Sequence, residues 1–158
     1  MEKQLTYFFC VLLTELCGMA AGLLTRSGAR LYATTIVKPP LAPPGLVFPI
    51  AWTVLYALMG VGLARVLLTE ASTWRMMGTV LYVVQLIFNL SWCFIFFSAQ
   101  HYGAAVLWLV ALFLLVVFMV ICFRSVDAIA AYLQLPYLVW LLFAGYLCVG
   151  VYLLNPAE

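Results

Sequence analysis

Apolar residues along this chain come in long runs, and the charged residues punctuate the gaps between those runs rather than decorating their faces. Reading between the gaps gives five hydrophobic segments, about 5–25, 45–68, 76–98, 103–123 and 128–154. Each reaches the roughly 20 residues that a helix needs to cross a hydrocarbon core. In that solvent every backbone N–H and C=O must be satisfied within the segment, so the segments are expected to be helices. The only connection longer than a few residues is 26–44, so residues 1–158 are expected to form a single all-α unit, an integral membrane bundle of five transmembrane helices.

Composition strengthens this reading. The chain is 68% hydrophobic and 8% charged, where a soluble domain carries roughly a quarter of its residues as charges, and its mean hydropathy is +1.20. The five spans leave no room for a soluble domain, and no nucleic-acid partner is expected. A cleaved N-terminal signal is not expected either, because Glu15 interrupts the apolar stretch just before any cleavage site. Lys3, Arg65, Arg75 and Arg124 fall on one side of the membrane and Arg26, Arg30 and Lys38 on the other, and four against three sets no orientation. Cys10, Cys17, Cys93, Cys122 and Cys148 all lie inside spans, with no CxxC and a single histidine in the chain, His101. They read as small packing residues, and neither a disulfide framework nor a metal site is expected.

Candidate chemistry concentrates in a few windows. Lys38-Pro39-Pro40-Leu41-Ala42-Pro43-Pro44-Gly45 holds four prolines within six residues and cannot be helical. It reads either as a stiff lid over a cavity or as a turn between helices. Pro49 and Pro136 each remove a backbone donor and are expected to bend the second and fifth spans beside aromatic pairs. Helical spacing puts Trp52 with Tyr56, Gln85 with Asn89, Asn89 with Trp92, and Tyr137 with Trp140 on common faces. Unpaired amides are costly in hydrocarbon, so Gln85 and Asn89 should point into the bundle. These residues serve either as interhelical glue alone or as glue that also contacts a flat, partly polar ligand. Trp74, at a loop edge, reads as an interface anchor and Trp108 as packing or lipid contact. Gly18 and Gly22 form a GxxxG match on the first span.

The proline-rich loop, Val47-Phe48-Pro49-Ile50-Ala51-Trp52-Thr53-Val54-Leu55-Tyr56-Ala57-Leu58-Met59-Gly60, Gln85-Leu86-Ile87-Phe88-Asn89-Leu90-Ser91-Trp92 with Phe96-Phe97, Pro136-Tyr137-Leu138-Val139-Trp140 and the terminal Leu154-Asn155 follow one another in this order along the whole chain. In that order and spacing the chain resembles the tryptophan-rich sensory protein and translocator protein family, also called the peripheral benzodiazepine receptor family. The resemblance implies a five-helix bundle with a ligand pocket under the first loop. It implies binding of porphyrins such as protoporphyrin IX or haem as ligand, with no cofactor required, and of isoquinoline- and benzodiazepine-type compounds. The pocket residues it implies are Pro43, Pro44, Trp52, Tyr56, Asn89, Trp92, Tyr137, Trp140, Ala144, Leu147 and Cys148. Trp52 and Trp140 match tryptophans associated in similar bacterial proteins with light- and oxygen-dependent porphyrin breakdown. That chemistry needs no general base, in keeping with a chain that offers no conventional catalytic grouping. A homodimer and a bacterial cell membrane are further expectations of the resemblance.

Three departures qualify it. Leu31 and Leu41 stand where the family usually carries loop tryptophans, although Tyr32 is kept, and Cys148 stands where the fifth helix usually carries asparagine. No Lys or Arg follows Leu147 and Tyr152, so the animal sterol motif fails and sterol transport is not expected. Glu15 is left unexplained by the resemblance. A carboxylate near the membrane middle costs roughly 2.5–3.5 kcal/mol if ionised, so it should face the bundle, reach water in a tilted span, or be neutral. If it carries protons or cations, the protein is a small-solute or proton transporter, which is the alternative to porphyrin sensing or scavenging.

Overall fold

The computed structural model describes residues 1–155; the last three residues of the expected 1–158 unit lie outside the described residues. Its elements are α1 (Glu2–Leu24), α2 (Arg26–Thr35), α3 (Val47–Leu67), α4 (Thr73–Cys93), α5 (Tyr102–Arg124), α6 (Ala128–Tyr132) and α7 (Leu135–Leu154). A π-helical turn, Phe94–Ser98, extends α4. α1, α3, α4 with its π turn, α5, and α6 with α7 make five helices long and apolar enough to cross a membrane. The protein is an all-α integral membrane bundle. α1 packs on α3, α4 on α5 and α5 on α7. Met59, Leu112, Val116, Met119, Phe123 and Leu141 fill the centre, while Phe8, Phe9, Leu107, Phe118 and Leu142 point outward. A helix apolar on every face suits a bilayer, because lipid takes the outer side chains and the bundle takes the rest.

Three expectations need correction. Segment 26–44 is not all loop, since Arg26–Thr35 is helical. It is short and polar, so no apolar run announced it, and Gly28 is what lets it dock: a Cβ there would collide with the Phe97 backbone carbonyl of the π turn. Pro49 and Pro136 do not bend helix interiors. They occupy the third residue of α3 and the second of α7, where the backbone N–H has no intrahelical acceptor to lose. The fifth span is accordingly split at Leu133 and Gln134 into α6 and α7.

The polar ends close the fold. Ser72 caps α4 by accepting from Arg75 N at 3.1 Å, and Asp127 caps α6 by accepting from Ala130 N at 2.8 Å. Arg65 at the end of α3 donates to both oxygens of Asp127, at 3.1 and 2.8 Å. This fork holds the Asp127 carboxyl below the usual carboxylate range. Trp74 is half exposed at the start of α4, an interface position, and Trp108 stacks on Phe88 with ring centres 4.4 Å apart.

Candidate functional site

Three helices meet at a chain of hydrogen bonds well inside their apolar spans. Tyr56 on α3 donates from its hydroxyl to Asn89 Oδ1 at 2.6 Å, and Asn89 Nδ2 donates to the Tyr137 hydroxyl at 2.8 Å. Tyr137 in turn donates to Gln85 Oε1 at 3.0 Å, and Gln85 Nε2 donates to the Tyr82 carbonyl at 3.1 Å. Gln85 and Asn89 are 0% and 2% exposed, so both amides point inward, as their cost in hydrocarbon requires. The set extends to α1. Thr14 donates to the Cys10 carbonyl at 2.7 Å, so in its 2.7 Å contact with the Tyr82 hydroxyl the tyrosine supplies the proton.

Aromatic rings lie above this chain. Trp52 stacks on Tyr56 with centres 5.3 Å apart, and it meets Tyr137 and Trp140 edge-on at 6.1 and 6.3 Å. Phe48 closes on the other side of Trp140 at 5.9 Å. Amid these rings the Trp140 indole N–H is buried and has no acceptor among the described residues, unlike Trp92, whose N–H reaches the Ala105 carbonyl at 3.2 Å. Trp92 stacks on Phe96 at 4.8 Å, and Ala144, Leu147 and Cys148 are buried on the same inner side of α7.

The first loop is fastened over this end of the bundle by α7. Asn155 Oδ1 accepts from Val37 N at 3.0 Å and its Nδ2 donates to Val37 O at 2.9 Å. Tyr146 donates to the Pro40 carbonyl at 2.7 Å, and Pro39 is buried where Gly150 leaves no side chain. Lys38 donates to the Ala33 carbonyl at 2.6 Å and lies 5.4 Å from the centre of the Tyr32 ring. Tyr32 packs on Phe96 and Phe97, and burial pushes its phenol up from the ordinary range. Leu41, standing at a usual tryptophan position, takes a left-handed backbone (φ 66°) and is exposed.

Tyr56, Asn89 and Tyr137 thus share one network, with Trp52 directly on it and Trp140 joined to it through Trp52. Pro43 is half-buried and Pro44 exposed in the turn into α3, where Val47 N donates to the Pro44 carbonyl at 2.9 Å. Neither proline is brought to the aromatic cluster by a hydrogen bond. Glu15 is half-buried on α1 and makes no side-chain hydrogen bond or ion pair among the described residues. Sequence reasoning missed Phe48, Thr14, Tyr82, Tyr146 and the role of Asn155. Phe48 and Tyr82 had a readable signal, Phe48 lying four residues before Trp52 and Tyr82 three before Gln85, each on that residue's face.

A buried amide–phenol network roofed by aromatic rings and a proline loop, inside five apolar helices, defines a multi-pass membrane protein with its polar groups turned inward. The TspO/MBR family model matches residues 10–153, and the chain belongs to that family. It is similar to the tryptophan-rich protein TspO of Chlorobaculum tepidum, 38% identical over 99% of this chain and 100% of that one. It is similar also to protein CrtK of Rhodobacter capsulatus, 34% identical over 98% and 96% of the two chains. The translocator protein of Bos taurus is 34% identical over 86% of this chain and 82% of its own.

Proposed function

We propose that this protein is a membrane porphyrin-binding sensor or scavenger whose ligand lodges between Trp52, Tyr137 and Trp140 under the first loop. One observation carries the reading: the Trp140 indole N–H is buried amid aromatic rings with no acceptor among the described residues. An unmet donor of this kind costs about 1–3 kcal/mol, and a ligand with an acceptor at its edge and a flat face for the rings removes that cost. The relative named translocator protein is in keeping with a role in handling a ligand. Because the rings lie against one another, the ligand enters by parting Trp52 from Trp140 beneath a lifted loop.

The test is a titration of the detergent-solubilised protein with protoporphyrin IX, followed by tryptophan quenching. Saturable binding at micromolar or tighter concentration in the wild type, weakened at least tenfold in Trp140→Ala and in Asn89→Ala, is the expected result. Binding unchanged in both variants would overturn the site. Under light and oxygen a bound porphyrin supplies an excited state, and the indoles of Trp52 and Trp140 are the groups beside it. Trp52→Phe and Trp140→Phe are therefore expected to keep binding and lose light-driven bleaching of the pigment. A second reading rests on Glu15, a half-buried carboxyl with no partner in α1. It makes the protein a proton or small-solute transporter, and Glu15→Gln would then stop a liposome flux that the tryptophan variants spare.

A further inference from the structure

The face that α5 shares with α6 and α7 carries two clefts in line, an interrupted furrow that the aromatic site does not use. Along α5 it is walled by Val106, Val110, Phe113, Val120 and Arg124, which recur at helical spacing on one face. Leu135, Leu142, Gly145 and Val149 wall it along α7 in the same way. Two clefts open on this line. One, of about 180 Å³, is lined entirely by apolar residues and Gly145. The other, of about 280 Å³, lies at the end of α5, where Arg124, Ser125 and Tyr132 help line it.

Arg124 differs from its neighbours at this face. Arg65 is committed to Asp127, and Arg75 donates to the Thr69 carbonyl at 2.8 Å. The Arg124 guanidinium instead rests over the Tyr132 ring, 5.9 Å from its centre, and has no carboxylate partner among the described residues. The acid nearest in sequence, Asp127, already serves Arg65 and Ala130 N, so it does not cancel the charge at the mouth. A planar cation held at the membrane surface, above a trough of methyl and phenyl groups descending into the bilayer, complements a phosphate joined to a hydrocarbon chain. The dimension agrees. Phe113 lies about 16 Å along α5 from Arg124 at 1.5 Å per residue, which is half of a hydrocarbon core about 30 Å thick.

We infer that this seam binds one anionic glycerophospholipid, its phosphate on Arg124 and one acyl chain running between α5 and α7 toward Phe113 and Leu142. The lipid is a fixed partner on the outside of the bundle, separate from any ligand under the loop.

Native mass spectrometry of the detergent-solubilised protein tests this, with phosphatidylglycerol and phosphatidylcholine of identical chains as probes. The wild type is expected to retain one phosphatidylglycerol about five- to tenfold more strongly than phosphatidylcholine. Arg124→Gln should bring phosphatidylglycerol down to the phosphatidylcholine level. Gly145→Leu, which fills the furrow from its lipid side, should weaken both lipids. Arg75→Gln, a charge removed at the same membrane face but off the seam, should change neither. Equal retention by wild type and Arg124→Gln overturns the proposal, as does an equal loss in Arg75→Gln, which would mean diffuse surface charge. Displacement of the lipid by millimolar inorganic phosphate overturns it too, because the chain would then contribute nothing. Should Arg124→Gln fail to fold, as read from the tryptophan emission of the Trp52–Trp140 cluster, Gly145→Leu decides the question through the chain-binding half.

Discussion

Asn155 grips Val37 across 118 positions of sequence by both of its backbone groups, accepting from N at 3.0 Å and donating to O at 2.9 Å. The side chain thereby takes the place of a neighbouring strand for a loop that has none. Each bond is partly exposed and worth about 0.5–1.5 kcal/mol. Asn155→Ala is therefore expected to free residues 37–44, raising the rate of proteolytic nicking there several-fold while changing global stability by about 1–2 kcal/mol. Time-resolved proteolysis in detergent reads the first and thermal unfolding the second. The same variant should speed both entry and exit of protoporphyrin IX in stopped-flow quenching.

Tyr137 links the two amides of the polar network, accepting from Asn89 and donating to Gln85. Removing its hydroxyl leaves two buried amides each short of a partner. Within membranes such bonds average about 0.6 kcal/mol and reach about 1.7, so Tyr137→Phe is expected to cost about 1–2 kcal/mol in detergent-titration unfolding. Tyr137→Phe combined with Gln85→Leu should cost less than the two single changes added together, because the second change removes one of the orphaned groups.

Gly18 belongs to the inside of the bundle, against Tyr56. A Cβ on Gly18 would overlap the Tyr56 ring, whereas one on Gly22 would meet nothing within 4 Å. Gly18→Ala is expected to displace Tyr56 from Asn89 and destabilise by about 1–3 kcal/mol. Gly22→Ala should stay within about 0.5 kcal/mol. Unfolding midpoints of the two variants separate this from a dimer motif, in which both glycines would matter and crosslinked dimer would fall in step.

Asp127 makes stability depend on acid. Its carboxyl titrates below the usual range, chiefly because of the hydrogen bonds from Arg65. Its contribution is therefore complete above the ordinary carboxylate value and is lost as pH falls through the lowered folded-state value. The unfolding midpoint should fall as pH drops below about 4, and Asp127→Asn should flatten that limb while retaining much of the cap on Ala130 N. Midpoints measured from pH 3 to pH 7 for both proteins check it.

Much of this architecture could be read without coordinates because lipid imposes a simple rule on length and polarity. The five spans came within a few residues of the observed helices, and the inward aim of Gln85 and Asn89 followed from what an amide costs in hydrocarbon. The pairing of Trp52 with Tyr56 was legible from helical spacing. What stayed hidden was long-range or short and polar. No local signal ties Asn155 to Val37 or Thr14 to Tyr82, since such partners are chosen only once the helices have packed. α2 lacks an apolar run because it lies on the π turn of α4 instead of crossing the bilayer. The prolines misled as to kinks because a proline at a helix start and one in its middle look alike in a span defined by hydropathy.

The hydrogen bonds that join Tyr56, Asn89, Tyr137 and Gln85 all run in one sense, each group giving its proton to the next and ending on the Tyr82 carbonyl. A ladder polarised in this way has no second register. Sliding α3 or α7 by one turn would part Asn89 and Gln85 from their phenols and leave amides unpaired in an apolar surround. The two ends of the bundle are therefore tied differently about this fixed middle: Arg65 and Asp127 lock one end by an ion pair, while at the other α7 and Asn155 hold only the backbone of the proline loop.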